Sequence, residues 1–388
     1  MSELNELIYQ SAKFDDRKTD FQVLAKHHLE FTGDGCFRVK DVMPQYVGTN
    51  GHPVTGSTFT NSCYHLSDNA RTQLFAKLGA AHFGRGTNKS LPSEYLAKFD
   101  PAMLAEVLNW TLRRSEGRWL VRTYDGTKPE GGGSEYARAI LDWGYPRVSN
   151  TTLLNITNQA LQEKPESYQN FSLVRPFVTP DEVGVRMVWQ DLEVQTTETK
   201  GGNYRVGAYI SNDETGRGKL QFMPLIQRTS CTNSIIMGGT EMHRAGVEFT
   251  GFAIHHYSGV TMQALIAQFA LNLQPMLNAS GEMINRIIVA EAETLEDFTW
   301  VMRGLEMQHG WKTSNRMVNA LNEGTEGSRS RMAVVNAVTY AAHQVDGLTD
   351  GERVEMEQLG GYYLTAPAKE FARLAEQGRK GKLVGAPA

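Results

Sequence analysis

Cysteine is scarce in this chain: Cys36, Cys63 and Cys231 are the only ones in 388 residues. An odd, widely spaced trio is no disulfide framework and suits reduced thiols in a cytosol. Spacings of the CxxC or HExxH kind are missing, so no motif nominates a zinc site. The opening MSELNELIYQSAKFDDRKTD has neither the basic start nor the apolar run of a secretory leader. No later segment holds the roughly 18 uncharged apolar residues of a membrane helix. An excess of one charge is lacking too. The 39 Lys plus Arg against 43 Asp plus Glu leave a formal charge of -4, so an anionic partner would have to meet a local basic patch. There is no repeat of fixed period and no low-complexity block. These absences predict a soluble cytoplasmic protein without membrane contact, for which neither a metal nor a cofactor is expected.

What is present is enough chain to bury a large core. The pattern predicts an α+β fold in which a central antiparallel sheet is flanked by helices and the C-terminal third is mainly helical. Three segments are expected: 1–60 as strands and loops, 61–290 as helices followed by the sheet and a long helical stretch, and 291–388 as helices. Ser67 is placed to cap a helix that Gly79 would end, and Asp100 with Pro101 to open another. Pro146 interrupts any helix beyond Ala137, and Asn150 is placed to cap the next one. Thr294 and Asp297 resemble a capping box ahead of Leu295, Phe298, Val301, Met302 and Leu305, and the tail GRKGKLVGAPA is expected to fray.

The most patterned stretch is YRVGAYISNDETGRGKLQFMPLIQRTSCTNSIIM, Tyr204 to Met237. Tyr204, Val206, Ala208 and Ile210 alternate with Arg205, Gly207, Tyr209 and Ser211, which predicts a strand with one core face. Asn212 to Gly218 supplies residues that tolerate positive φ, and Leu220, Phe222 and Ile226 resume the apolar face, so the stretch reads as a hairpin. Pro224 marks an edge or a bulge.

Candidate chemistry gathers around this hairpin. Arg205, Tyr209, Arg217 and Lys219 place cations beside flat rings, which is what binding a single strand requires. Arg228 and the backbone amides near it could hold a phosphate at the strand end. Arg113, Arg114 and Arg118 recur beside Trp110 and Trp119 in the same manner. The loop GRGTNKS lacks the glycine a phosphate-binding loop needs before its lysine and follows a helix, which excludes a nucleoside triphosphatase; Arg85 and Lys89 there remain backbone contacts for a nucleic acid. Asn212, Gly216, Cys231, Thr232 and Asn233 read as structural, Cys231 as a small core residue and its neighbours as caps. His243, His255 and His256 stand at no fixed spacing from Cys231, and no catalytic residue is assigned.

Four pieces, LSDNARTQLFAKLG, ARAILDWGYPRVSNTTLL, the hairpin through TSCTNSI, and SRMAVVNAVTYAAHQ with MEQLGG, resemble in their order the phage/plasmid-like proteins. That is a family of unknown function found in phages, plasmids and bacteria. The layout of sheet and following helix is also distantly similar to single-strand annealing proteins, which assemble on DNA. The resemblance implies a DNA-transaction protein that binds single-stranded DNA and anneals strands as a homo-oligomer. Two other readings stay open: an assembly or regulatory protein without nucleic-acid contact, and a hydrolase with a dispersed site.

Overall fold

The computed structural model describes residues 2–14, 63–83, 99–114, 118–127, 133–142, 148–162, 166–194, 203–229, 233–238, 282–311 and 314–383. It also describes the short segments 21–24, 29–31, 36–39, 46–47, 53–54 and 252–254 and the single positions 145, 267, 271 and 275. Among these residues the fold is α+β with a mostly helical C-terminal part.

The strand-and-loop expectation for 1–60 misses a helix, α1 (Ser2–Ala12), whose Leu4, Leu7 and Ser11 fall on one buried stripe. Six short strands follow: β1 (Phe21–Leu24), β2 (Leu29–Phe31), β3 (Cys36–Val39), β4 (Tyr46–Val47), β5 (Pro53–Val54) and β6 (Cys63–Leu66). Ser67 caps α2 (Asp68–Phe83) by accepting the Ala70 N–H at 3.1 Å. Gly79 does not end this helix. An interior glycine costs only about 1 kcal/mol, which the burial of Leu74, Phe75 and Leu78 offsets. Asp100 caps and Pro101 opens α3 (Pro101–Leu112), which turns Ala105, Leu108 and Leu112 inward.

With β7 (Arg118–Thr127) and β8 (Gly133–Asp142) a six-stranded sheet forms in the order β1-β7-β8-β6-β3-β2, antiparallel except for the β6/β8 pair. Helices α2 and α3 cover one face, where Leu74, Leu78 and Leu108 meet Trp119, Val121 and Ile140.

Helix α4 (Asn150–Gln162) is capped by Ser149, whose Oγ accepts the Thr152 N–H at 3.0 Å. Asn150, expected as the cap, is its first helical residue. The second sheet holds β9 (Phe171–Leu173), β10 (Phe177–Val178), β11 (Glu182–Val194), β12 (Tyr204–Asp213), β13 (Leu220–Arg228), β14 (Ser234–Ile236) and β15 (Phe252–Ile254), all antiparallel. The hairpin is β12–β13, with Val206 opposite Ile226 and Ile210 opposite Phe222.

The hairpin buries both of its faces, where one was expected. Val206, Ala208, Ile210 and Phe222 pack with Leu4 of α1 and Leu154 of α4, while Tyr209, Met223 and Leu225 pack with Ile236 and Val354 on the other side. The second layer comes from the C-terminal helices: α5 (282–292), α6 (Phe298–Gln308), α7 (Asn315–Gly324), α8 (Arg331–Gln344), α9 (Asp350–Thr365) and α10 (Ala368–Leu383). Ile287, Leu305, Leu321, Val335, Leu359 and Leu374 share their core with Tyr204 and Ile226 of the hairpin.

The expected capping box at Thr294 is absent: Thr294 bridges Ser330, and Asp297 occupies the cap position without a side-chain bond. Nor does the tail fray at GRKGKL. A Cβ at Gly378 would stand 2.1 Å from the Trp300 carbonyl oxygen and one at Gly304 1.9 Å from that of Leu374, so α6 and α10 cross in backbone contact that only glycine permits.

Candidate functional site

The hairpin tip is where the two sheets meet. Between β7 and β8 the register shifts so that Arg122 faces Ala139 and Thr123 faces Ala137, leaving Arg138 as the extra residue of a bulge. A bulge re-aims the side chain it carries. Arg138 Nη2 reaches Glu214 Oε2 at 2.7 Å, Arg122 Nη2 reaches the same oxygen at 2.8 Å, and Arg122 Nη1 donates to the Glu214 carbonyl at 3.0 Å. The Asn150 N–H, in the first turn of α4, donates to Glu214 Oε1, where the helix dipole also favours an anion. Asn212 Nδ2 donates to Asn150 Oδ1 at 2.8 Å, and Gln73 Nε2 of α2 donates to the Thr215 carbonyl. Residues 212–215 are buried. The polar turn that joins the two strands is thus a plug seated in the neighbouring sheet, with every partner of the Glu214 carboxylate a cation or an amide.

Gly216 follows the plug at φ +80, and a Cβ there would lie 2.8 Å from Leu141 Cδ2. Asn233 is buried, with its carbonyl accepting the Arg228 N–H at 3.3 Å.

A second buried cluster joins the other side of the sheet to the helices. Arg186 Nε donates to Glu357 Oε2 at 2.7 Å, and Arg186 Nη1 to the Arg175 carbonyl at 3.1 Å. His343 Nε2 stands 3.1 Å from Glu357 Oε1 without the alignment of a hydrogen bond. Tyr209, directly opposite Arg186 in the ladder, places its ring 5.7 Å from that guanidinium.

These arrangements decide what the expected binding residues can do. Tyr209 is only 3 % exposed, and burial raises its hydroxyl far above the ordinary tyrosine range, so it offers no ring to a base. Arg217 is exposed but paired with Asp181 at 2.8 Å. Arg228 is paired with Glu326 at 2.7 Å. Arg205 and Lys219 are half-buried. Arg85, Lys89, Cys231, Thr232, His243, His255 and His256 lie outside the described residues. Burial raises Asp181 and Glu182 above the ordinary carboxylate range, with Arg217 pulling down and Asp213 pushing up.

The aromatic and cationic pairing survives at the surface on α3. Trp110 is 43 % exposed, and the Arg114 guanidinium carbon sits 3.8 Å from its ring centre. Met103 is exposed on the same short helix, and Arg113, its C-cap, is exposed beside Arg114 at the helix end. Asn109 anchors it by exchanging two hydrogen bonds with the Phe31 backbone on β2, at 2.8 and 3.1 Å. Trp119, the other ring in that run of arginines, is buried.

Glu214, Arg138 and Glu357 carried no sequence signal, because their partners lie 64 to 92 residues away around Glu214 and 171 away for Arg186 and Glu357. Among the described residues no helix is long and apolar enough to cross a membrane, and no three His, Cys, Asp or Glu side chains are grouped to hold a metal ion. Set against known protein families, characterised proteins and solved structures, the chain finds no match.

Proposed function

We propose that the protein binds single-stranded DNA, and that the strand lies across the exposed face of α3 and not along the hairpin arms. The observation that carries this reading is the Arg114 guanidinium stacked at 3.8 Å on the exposed Trp110 ring. A base can stack on an indole whatever its sequence, and the neighbouring guanidinium groups of Arg113 and Arg114 offer counter-charges to the phosphates on either side. Asn109 holds the helix to β2, so the ring is presented on a fixed support. With two cations at the site the binding depends only weakly on salt, at roughly 0.7 log units of affinity per log unit of salt for each phosphate neutralised. Strand annealing extends the reading if two copies each carry a strand, and a homo-oligomer satisfies that requirement.

Fluorescence anisotropy of a labelled oligothymidylate across a salt series tests the first step, and mass in solution together with annealing of complementary oligonucleotides tests the second. Saturable binding that quenches tryptophan emission supports the proposal. Protein free of nucleic acid that binds no oligonucleotide at low salt ends it and leaves the assembly reading in its place.

A further inference from the structure

A polar concavity lies far along the chain from α3, among α5, the start of α8 and the end of α9. It is an open cavity of about 270 Å³ lined by Asn285, Arg286, Val289 and Ala290 of α5, Arg331 of α8 and Leu364 of α9. Its two cations differ in how they are held. Arg331, the first residue of α8, is fixed: Nη2 holds Glu293 Oε1 at 2.8 Å, and the guanidinium carbon lies 5.0 Å from the Phe371 ring centre. Its Nε is buried and has no hydrogen-bond partner. Arg286 is exposed and forms no ion pair among the described residues.

The remaining groups narrow the ligand. The Thr365 hydroxyl, also in the wall, donates inward to the Tyr362 carbonyl at 3.1 Å, so the donors left for a guest are the Arg286 guanidinium, the Nη1 edge of Arg331 that Glu293 does not hold, and the Asn285 amide. Two guanidinium groups match an oxyanion by their planar forks, and one already immobilised loses little entropy on binding. The apolar strip beside them, where Val289 is 63 % exposed, has no use for a bare inorganic ion and fits a carbon body attached to one. The volume lies just below the range of about 300–1,000 Å³ for small-molecule sites, which limits the guest to mononucleotide size or less.

We infer that this cavity binds a small phosphate monoester, its phosphate between Arg286 and Arg331 and its apolar part along Val289, Ala290 and Leu364. The site shares no residue with α3, so it stands or falls apart from single-strand binding.

Isothermal titration calorimetry of the full chain with phenyl phosphate and with inorganic phosphate tests it. One-site saturable binding is expected for both, tighter for phenyl phosphate. Arg286→Gln, at an exposed position, should fold normally and weaken phenyl phosphate binding by about tenfold or more; Arg331→Lys should weaken it while keeping the charge. Four results overturn the inference: no saturable binding of either probe, wild-type affinity in Arg286→Gln, inorganic phosphate binding as tightly as phenyl phosphate, or displacement of phenyl phosphate by an oligothymidylate, which marks a nucleic-acid groove.

Discussion

The β12–β13 hairpin and α3 carry the same chemical pairing, an aromatic ring beside guanidinium groups, in opposite circumstances. On the hairpin Tyr209 faces Arg186 of the adjoining strand β11 across the ladder, both are buried, and Arg186 is committed to Glu357. On α3 Trp110 lies under Arg114 at the surface, and the helix is tied down by Asn109. Burial decides the role. Inside, a guanidinium must be neutralised and fully bonded, so it joins elements together; outside, it needs neither and stays available to a ligand. Damage to the hairpin should therefore cost stability, and damage to α3 should cost binding.

The largest effect tests the hairpin side. Glu214→Gln leaves Arg122 and Arg138 buried against a neutral amide, and breaking a buried ion pair on one side costs about 3–5 kcal/mol. Urea denaturation should show that loss; a variant as stable as wild type would mean the plug is not seated as described. Trp110→Ala tests the other side. It should weaken oligothymidylate binding by about tenfold or more, since stacking contributes about 1–3 kcal/mol per base, while stability stays within about 0.5 kcal/mol. Loss of both together would erase the distinction between the two regions.

Gly216→Ala is milder. It forces a side chain into φ +80 and against Leu141, at about 1–3 kcal/mol, again with no change in binding by the folded fraction. The smallest effect is electrostatic. Burial raises the folded-state pKa of Glu182 above its ordinary 4.5, so the native state holds this proton more tightly than the unfolded chain does. The stabilisation this gives is complete below pH 4.5 and is lost as pH rises from there through the folded-state value. Glu182→Gln removes that decline, and melting temperatures across the acid range should fall less steeply with rising pH than in wild type; parallel curves would contradict the assignment.

How far these regions were legible in the residues follows from the range of the interactions. Local signals held: Ser67 and Asp100 cap the helices they precede, and β12 and β13 pair through a turn with Gly216 at positive φ. The cap expected at Asn150 falls instead to Ser149, one residue earlier. Alternation along β12 announced one buried face but could not announce the second, because the layer that buries Tyr209 arrives about 150 residues later with Val354. Glu214 looked like any acid in a turn, and its partners come from Arg122 on β7, the bulge at Arg138 and the first turn of α4. Trp110 and Arg114, four residues apart across the end of α3, were visible as neighbours from their spacing, yet their exposure against the burial of Trp119 was not.

The most direct measurement is oligothymidylate affinity across a salt series for wild type, Trp110→Ala and the hairpin variant Arg217→Ala, with each fold checked by denaturation. Binding across α3 predicts that Arg217→Ala retains wild-type affinity and salt slope while Trp110→Ala loses about tenfold or more at every salt concentration. Weakened binding in Arg217→Ala alongside wild-type affinity in Trp110→Ala would return the strand to the hairpin and contradict it.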